Sequence, residues 1–165
     1  MTAVEILPMT EQHWDAVGAI FAQGIALGNA TLETSVPSWQ DWDAHHLKTC
    51  RLVAVRDGEV LGWAALSPVS NRHVYRGVAE VSVYIAEHAR GRQIGSGLLA
   101  ALAAESERNG IWTLQAVIHA DNAVSIHTHQ KAGFRIVGTR ERIGCLHGRW
   151  RDTVLMERRS NVVGV

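Results

Sequence analysis

Val81-Ser82-Val83-Tyr84-Ile85, Arg90-Gly91-Arg92-Gln93-Ile94-Gly95-Ser96-Gly97 and Leu98-Leu99-Ala100-Ala101-Leu102 follow one another and predict a β-strand, a basic glycine-rich loop and an amphipathic helix. Such a loop directs successive backbone N–H groups, and the positive end of a helix dipole, at one anion. Its three glycines lack the Cβ atoms that would keep a phosphate away from the backbone. The loop has neither the G-x-G-x-x-G spacing of a dinucleotide fingerprint nor the Gly-Lys-Ser/Thr of a P-loop. Residues 90–97 therefore predict an anion site of another type.

The composition is that of one ordinary globular domain. The chain has 165 residues, of which 47% are hydrophobic and 19% charged, as is usual for a soluble domain. Its 16 basic and 16 acidic residues balance, so no long-range field favours nucleic acid or a membrane surface. The N-terminus lacks a signal-peptide pattern, and Cys50 and Cys145 have no metal-type spacing. We expect a single domain over residues 1–165, located in the cytoplasm, with no metal, nucleic-acid or membrane partner.

Hydrophobic periodicity predicts an α/β fold. Before the loop it predicts a strand at Val4–Leu7, two helices capped by Thr10 and Ser38, and a hairpin around Asp57-Gly58. After the loop it predicts a helix ending near Asn109-Gly110, a strand at Ile111–Ile118, a helix at Asn122–Ala132, and strands at Phe134–Val137 and Thr153–Met156. This order predicts a mixed, mostly antiparallel sheet flanked by helices on both faces. Only the strands on either side of the loop helix need to be parallel neighbours.

The strand that precedes the loop has two different faces. Side chains alternate along a strand, so the apolar set from Ala79 to Ile85 is expected in the core, while Glu80, Ser82 and Tyr84 share the other face. The polar face either meets solvent, as in many antiparallel sheets, or lines a cleft that leads to the anion loop. In a cleft, a carboxylate can take the proton from an amine, which must be neutral to attack an acyl group. Glu80 is therefore a candidate general base.

The predicted helix that begins at Asn122 carries a second polar cluster. Asn122 is placed to cap the helix, and Ser125 and His129 share one helix face because they are four residues apart. His127 and His129 point about 200° apart around the helix, which disfavours a shared metal ion. The adjacent His45-His46 pair also lacks companion ligands.

Several segments, in order over residues 30–152, resemble the phosphinothricin N-acetyltransferase family of the GCN5-related N-acetyltransferases. This family includes methionine-sulfoximine and arsinothricin acetyltransferases. The segments are Ala30-Thr31-Leu32-Glu33-Thr34, Glu80 to Ile85, Arg90 to Gly95, Asn122 to Ser125, His129 to Phe134, and Gly148-Arg149-Trp150-Arg151-Asp152.

The resemblance implies the fold of that superfamily and transfer of an acetyl group from acetyl-CoA to the α-amine of a small amino-acid-like acceptor. Such acceptors are phosphinothricin, arsinothricin, and methionine sulfoximine or sulfone. Glu80 and His129 match residues that handle protons. The cofactor-binding positions would be Val83, Tyr84, Ile85, Arg90, Gly91, Arg92, Gln93, Ile94, Gly95, Ser96, Asn122 and Ser125. The acceptor pocket would be shaped by Glu33, Ser70, Asn71, Arg72 and Tyr75. The resemblance also implies a homodimer, in which Arg149 and Trp150 would lie near a partner's site.

Two positions depart from the family pattern, and two other functions stay open. Gln93 stands where another glycine is common, and Leu146-His147 replaces a common Lys-Phe pair. One alternative is acetylation of protein N-termini, which would need an open groove for an extended peptide. The other is a non-catalytic acyl-CoA-binding sensor, which would not need both Glu80 and His129. We expect the small-molecule enzyme.

Overall fold

Seven strands form one sheet in the computed structural model, which describes residues 2–165. They are β1 (Glu5–Pro8), β2 (Leu52–Arg56), β3 (Glu59–Pro68), β4 (Val78–Ile85), β5 (Thr113–His119), β6 (Arg135–Leu146) and β7 (Arg149–Arg159). Their order in the sheet is β1-β2-β3-β4-β5-β7-β6. Every neighbouring pair is antiparallel except β4 and β5. The predicted mixed, mostly antiparallel sheet with one parallel pair is thus confirmed.

Helices cover both faces of the sheet, as predicted. They are α1 (Trp14–Leu27), α2 (Trp39–His45), α3 (Ile94–Arg108) and α4 (Ala123–Lys131). Helix α1 packs on the face that carries Tyr84, so closely that a Cβ on Gly24 would lie 2.7 Å from the Tyr84 ring. Helix α3 packs on the opposite face, where Leu98 contacts the position of Gly62 in β3. Within residues 2–165, no helix is long and apolar enough to cross a membrane.

The two faces of β4 differ less than the sequence pattern predicts. On the apolar face Ala79 and Val81 are buried, whereas Val83 and Ile85 are only half-buried. On the polar face, Tyr84 belongs to an aromatic cluster, with ring centroids 5.0 Å from both Phe21 and Trp63. Alternation thus placed Tyr84 on the correct face, but this face is partly apolar because a tyrosine ring buries a large apolar area.

The last two strands are much longer than predicted. Strand β6 extends to Leu146, and β7 begins at Arg149. His147 and Gly148 form the tight turn between the two strands, with φ of 51° and 75°. Positive φ at both central positions is typical of a two-residue hairpin. Most residues of β6 are exposed, so this strand lacks the alternation of apolar and polar residues that marks a half-buried strand. Its structure comes from pairing with β7, which periodicity does not reveal.

Strands β4 and β5 separate after a short parallel ladder. They are paired only at Val78–Thr113, Ala79–Leu114 and Glu80–Gln115. Beyond this point β4 continues along β3 to Ile85, and β5 continues along β7 to His119. The sheet is therefore split at its centre, and among residues 2–165 no strand pairs with the edge of β4 that faces β5 over residues 81–85.

Candidate active site

The split between β4 and β5 opens into a cleft of about 1030 Å³. Its walls come from β4, the end of β5, the start and middle of α4, the α1–α2 segment and β7. Glu80 and His129, the two predicted proton-handling residues, both line this one cleft. The acidic and imidazole side chains that line it are Glu33, Asp41, His45, His46, Glu80, His119 and His129.

Glu80 is half-buried at the point where the parallel ladder ends. Its register partner Gln115 donates a side-chain N–H to Glu80 Oε1 at 2.9 Å. This bond fixes the orientation of the carboxylate and leaves the other oxygen available for a proton. The position of Glu80 is therefore set by the strand register itself.

His129 is a buried imidazole with one nitrogen occupied. Only 7% of the residue is exposed, and its Nδ1 lies 2.7 Å from the carbonyl oxygen of Ser125, one helical turn earlier. The carbonyl can only accept, so Nδ1 donates and the neutral ring carries its lone pair on Nε2. The ring also packs against Phe134 in a T-shaped arrangement, with 5.2 Å between the ring centroids. Burial lowers the pKa of His129, so the ring is neutral and able to accept a proton at physiological pH.

Residues 28–37, here called the covering segment, close one side of the cleft. Arg151 on β7 donates from Nη1 to the carbonyl of Gly28 at 2.6 Å and also pairs with Asp121 at 3.2 Å. Asn122 donates to the carbonyl of Asn29 at 3.3 Å. Both contacts join the covering segment to residues beside the cleft. This side of the cleft is consequently enclosed.

Thr31 and Glu33 of the covering segment line the cleft together with Tyr84 of β4. The Thr31 hydroxyl accepts a hydrogen bond from the backbone N–H of Glu33 at 3.0 Å. Burial of the Tyr84 hydroxyl, together with the negative charges of Glu33 and Glu80, raises its pKa, so Tyr84 is a neutral phenol. Of the predicted acceptor residues, Glu33 lines the cleft.

The basic loop has the backbone conformation of an anion site. Gly91 has φ of 77°, Gln93 lies in the left-handed region with φ of 61°, and α3 begins at the next residue. The first four N–H groups of a helix have no partner inside it, so they are free for a ligand. A Cβ on Gly91 or Gly95 would meet no protein atom closer than 3.8 Å, so the space above the backbone is clear. Arg90 and Arg92 are exposed beside it.

The remaining cofactor positions lie close by but contribute in different ways. Ile94 is buried in the core, so only its backbone is available to a ligand. Asn122 Oδ1 accepts a hydrogen bond from the backbone N–H of Ser125 at 3.2 Å, so Asn122 caps α4. Asn122 also lines the cleft. Ser125 both lines the cleft and holds His129.

Four predicted acceptor residues lie on the connection between β3 and β4, apart from the residues that line the cleft. The Ser70 hydroxyl accepts from the backbone N–H of Arg72 at 3.1 Å, and the Arg72 guanidinium lies 5.6 Å from the Tyr75 ring centroid. Asn71, Arg72 and Tyr75 are exposed. The connection that carries these residues begins after Pro68, the last residue of β3. Pro68 lines the cleft, so the connection begins at the rim of the cleft.

Sequence reasoning did not assign Asp41, His45 or His46 to the site, and it missed two deeply buried polar residues of the cleft, His119 and Thr153. They are register partners at the ends of β5 and β7 and are only 3% and 2% exposed. Alternation along β5 could have found His119, because Gln115, Val117 and His119 share one face of that strand. Thr153 gave no signal, because its place opposite His119 depends on the register of a long-range strand pair.

Known proteins resemble this chain in sequence and in fold. The model of the Acetyltransferase (GNAT) family matches residues 21–134. A phosphinothricin N-acetyltransferase of Alcaligenes faecalis is 37% identical over 88% of this chain and 77% of its own length. An L-methionine sulfoximine/L-methionine sulfone acetyltransferase of Pseudomonas aeruginosa is 32% identical over 87% of this chain and 88% of its own length.

A solved structure has the same architecture. It is a phosphinothricin acetyltransferase of the GNAT superfamily from Sinorhizobium meliloti in complex with AcCoA, with a TM-score of 0.88 and 29% identity over 99% of this chain and 91% of the other. The split sheet, the basic loop before α3 and the matches in sequence agree with one another. The chain belongs to the GNAT family of acetyl-CoA-dependent N-acetyltransferases.

Proposed function

We propose that the protein acetylates the α-amine of a small amino-acid analogue of the phosphinothricin, arsinothricin, methionine sulfoximine or methionine sulfone type. The observation that carries this proposal is the cleft that Glu80 and His129 both line together with the covering segment. The names of the two relatives support this class of acceptor. The cleft suits a compact molecule better than an extended chain, because hydrogen bonds hold the covering segment at Gly28 and Asn29.

The shape of the split sheet fits acetyl-CoA, which supplies an activated acetyl thioester. The unpaired edge of β4 offers the backbone N–H and C=O groups of Val83 and Ile85 to the amide-containing arm, much as a neighbouring strand would. The backbone groups of Tyr84 point to β3 instead, because the N–H of Ala86, two residues later, bonds the carbonyl of Leu61. The loop from Arg90 to Ser96 offers backbone N–H groups and two guanidinium groups to the pyrophosphate. Asn122 and Ser125 flank the cleft at the start of α4.

Glu80 takes the proton from the acceptor amine, and His129 assists. The ammonium form of an amine has no lone pair, so the proton must leave before attack on the thioester carbon. Gln115 holds one oxygen of Glu80 and leaves the other for this proton. His129 presents a neutral imidazole whose Nε2 can accept a proton or orient a water molecule.

A panel of amines tests the proposal directly. Purified protein with acetyl-CoA is assayed for CoA release with phosphinothricin, arsinothricin, methionine sulfoximine, methionine sulfone and a set of short peptides. We expect the amino-acid analogues to have higher kcat/KM than any peptide. Faster acetylation of peptides would favour the protein N-terminal acetyltransferase instead. Binding of acetyl-CoA without turnover of any amine would favour the sensor.

The proposal also includes the rim of the cleft and a second copy of the chain. Ser70, Asn71, Arg72 and Tyr75 complete the acceptor pocket from the rim, where guanidinium groups suit acid oxygens.

Strand β6 is an edge strand of 12 residues with exposed apolar side chains, which favours pairing with a second copy. Both cysteines are free, as expected for a cytoplasmic protein.

A further inference from the structure

Five buried polar side-chain atoms lack a hydrogen-bond partner within residues 2–165, and all five belong to residues that line the cleft. They are Trp42 Nε1, Trp63 Nε1, His119 Nδ1, His119 Nε2 and Thr153 Oγ1. Buried polar groups in native proteins are nearly always hydrogen-bonded to protein, water or ligand. Their concentration around one cleft points to partners that enter the cleft from outside the chain. Each atom exposes less than 1 Å², so such a partner reaches it when the side chains around it shift slightly.

His119 and Thr153 form the most specific part of this set. They are directly opposite in the antiparallel pair of β5 and β7, so their side chains stand next to each other on one face. Gln115 is on that face too, because it lies four residues before His119, and Gln115 bonds Glu80. Arg151, two residues before Thr153, reaches the covering segment from the same face. The pair therefore lies on the side of the sheet that Glu80 and the covering segment enclose.

The charges of the cleft show which part of an acceptor needs this pair. Glu33, Asp41 and Glu80 suit the ammonium group of an amino acid. An amino acid also brings acid oxygens, yet the cleft-lining residues of the described chain include neither arginine nor lysine. The imidazole N–H of His119 and the hydroxyl of Thr153 are hydrogen-bond donors with no other partner.

We propose that His119 and Thr153 together bind an acid oxygen of the acceptor and so determine specificity for it. This inference rests on the proposed function. The oxygen belongs either to the α-carboxylate or to the tetrahedral acid group of the side chain, because both present the same acceptor atoms to a donor pair. Neither residue takes part in proton transfer.

The test compares three acceptors with four variants. The acceptors are phosphinothricin, 3-aminopropyl(methyl)phosphinic acid, which lacks the α-carboxylate, and 2-aminobutyrate, which lacks the side-chain acid group. The variants are Thr153→Val, which keeps the shape but removes the hydroxyl, Thr153→Ser, which keeps the hydroxyl, His119→Leu, and the control Thr113→Val at the other end of β5. Circular dichroism and the KM for acetyl-CoA report whether each variant keeps the native fold.

We expect Thr153→Val and His119→Leu to raise the KM for phosphinothricin at least tenfold. In both variants, kcat and the KM for acetyl-CoA should stay within about twofold of wild type. Thr153→Ser and Thr113→Val should stay within threefold of wild type in all constants. The loss in kcat/KM should disappear for the one analogue that lacks the bound oxygen. Loss of the effect with 3-aminopropyl(methyl)phosphinic acid assigns the α-carboxylate, and loss with 2-aminobutyrate assigns the side-chain acid group.

Three results would overturn the inference. One is an unchanged KM for phosphinothricin in folded Thr153→Val, which decides the matter even where His119→Leu does not fold. Another is an equal loss in kcat/KM with all three acceptors, which indicates a structural role for the pair. A wild-type protein that acetylates none of the three would overturn the proposed function as well, whereas the first two results leave that function intact.

Discussion

The carboxylate of Glu80 can be tested by an isosteric change. Glu80→Gln keeps the shape of the side chain and its neighbour Gln115 but removes the base. We expect kcat to fall by roughly 10²–10⁴-fold with little change in acetyl-CoA affinity. The loss should shrink as the pH rises, since a growing fraction of the amine is then already neutral. The measurement is the pH profile of kcat/KM.

His129→Ala is the comparison for this profile. If His129 only orients a water molecule, its variant should lose less activity than Glu80→Gln. The opposite result, with Glu80→Gln near wild type at neutral pH and His129→Ala inactive, would exchange the two roles. The neutral ring held by Ser125 makes that exchange chemically feasible, so both variants are needed.

The half-buried His46 and the buried His129 make stability depend on pH in a defined direction. Burial lowers the pKa of both His46 and His129 below the ordinary value of 6.5. Below about pH 6.5 the unfolded chain therefore binds protons that the folded chain does not, and the free energy of unfolding falls as the pH falls. Urea unfolding between pH 7.5 and 5 should show this decline. It should be less steep in His46→Gln and His129→Gln and unchanged in the exposed control His147→Gln.

Gln93 is strained in a conformation that favours glycine. Its φ of 61° and ψ of 20° place a residue with a Cβ in the left-handed region just before α3. Relief of this strain in Gln93→Gly should stabilise the protein by about 1 kcal/mol and raise Tm by roughly 2–4 °C. Gln130→Gly in the exposed part of α4 should lower Tm, because glycine is unfavourable inside a helix. A lower Tm in Gln93→Gly would mean that its side chain makes a contact worth more than the strain.

At the level of elements, the basic loop is the part that the sequence defined best, and its assignment can be tested. A Cβ on Gly95 would have only ordinary contacts, at 3.8 Å to Ile85, so Gly95→Val should fold while blocking the approach of a phosphate. Arg92→Ala should remove a charged hydrogen bond and weaken acetyl-CoA binding roughly tenfold to hundredfold. Calorimetric titration with acetyl-CoA is the measurement, with the exposed Arg140→Ala as the control. Unchanged affinity in both loop variants would exclude the loop as the pyrophosphate site.

The elements show how far local patterns reach. Strand, glycine-rich loop and helix at residues 81–102 follow from local residue types, and so do the Ser38 cap and the Asp57-Gly58 turn. The contact between Glu80 and Gln115 follows from the register of the parallel strands β4 and β5. The sequence predicts that these strands are parallel but does not give their register. The separation of β4 from β5, the tie from Arg151 to Gly28, and the pair of His119 and Thr153 depend on contacts between distant parts of the chain. Periodicity carries no information about such contacts.

For the whole molecule, the hairpin of β6 and β7 is the surface that predicts self-association. It carries Ile136, Val137, Ile143 and Trp150 as exposed large apolar residues, and Trp150 alone is 64% exposed. Strand β6 also leaves one edge of the sheet unpaired within residues 2–165, where a second copy can add hydrogen bonds. Balanced charge removes any long-range repulsion between copies.

We therefore expect light scattering at micromolar concentration to give twice the chain mass of 18.1 kDa. Trp150→Ser should shift the equilibrium toward the monomer, because it removes the most exposed aromatic side chain of the hairpin, whereas Val124→Ser on the exposed side of α4 should not. If Arg149 and Trp150 contribute to the partner's acceptor pocket, the monomeric variant should show a raised KM for the acceptor and an unchanged KM for acetyl-CoA. A wild-type protein of 18.1 kDa in solution would contradict the homodimer, and the cleft of a single chain would then have to hold the whole acceptor.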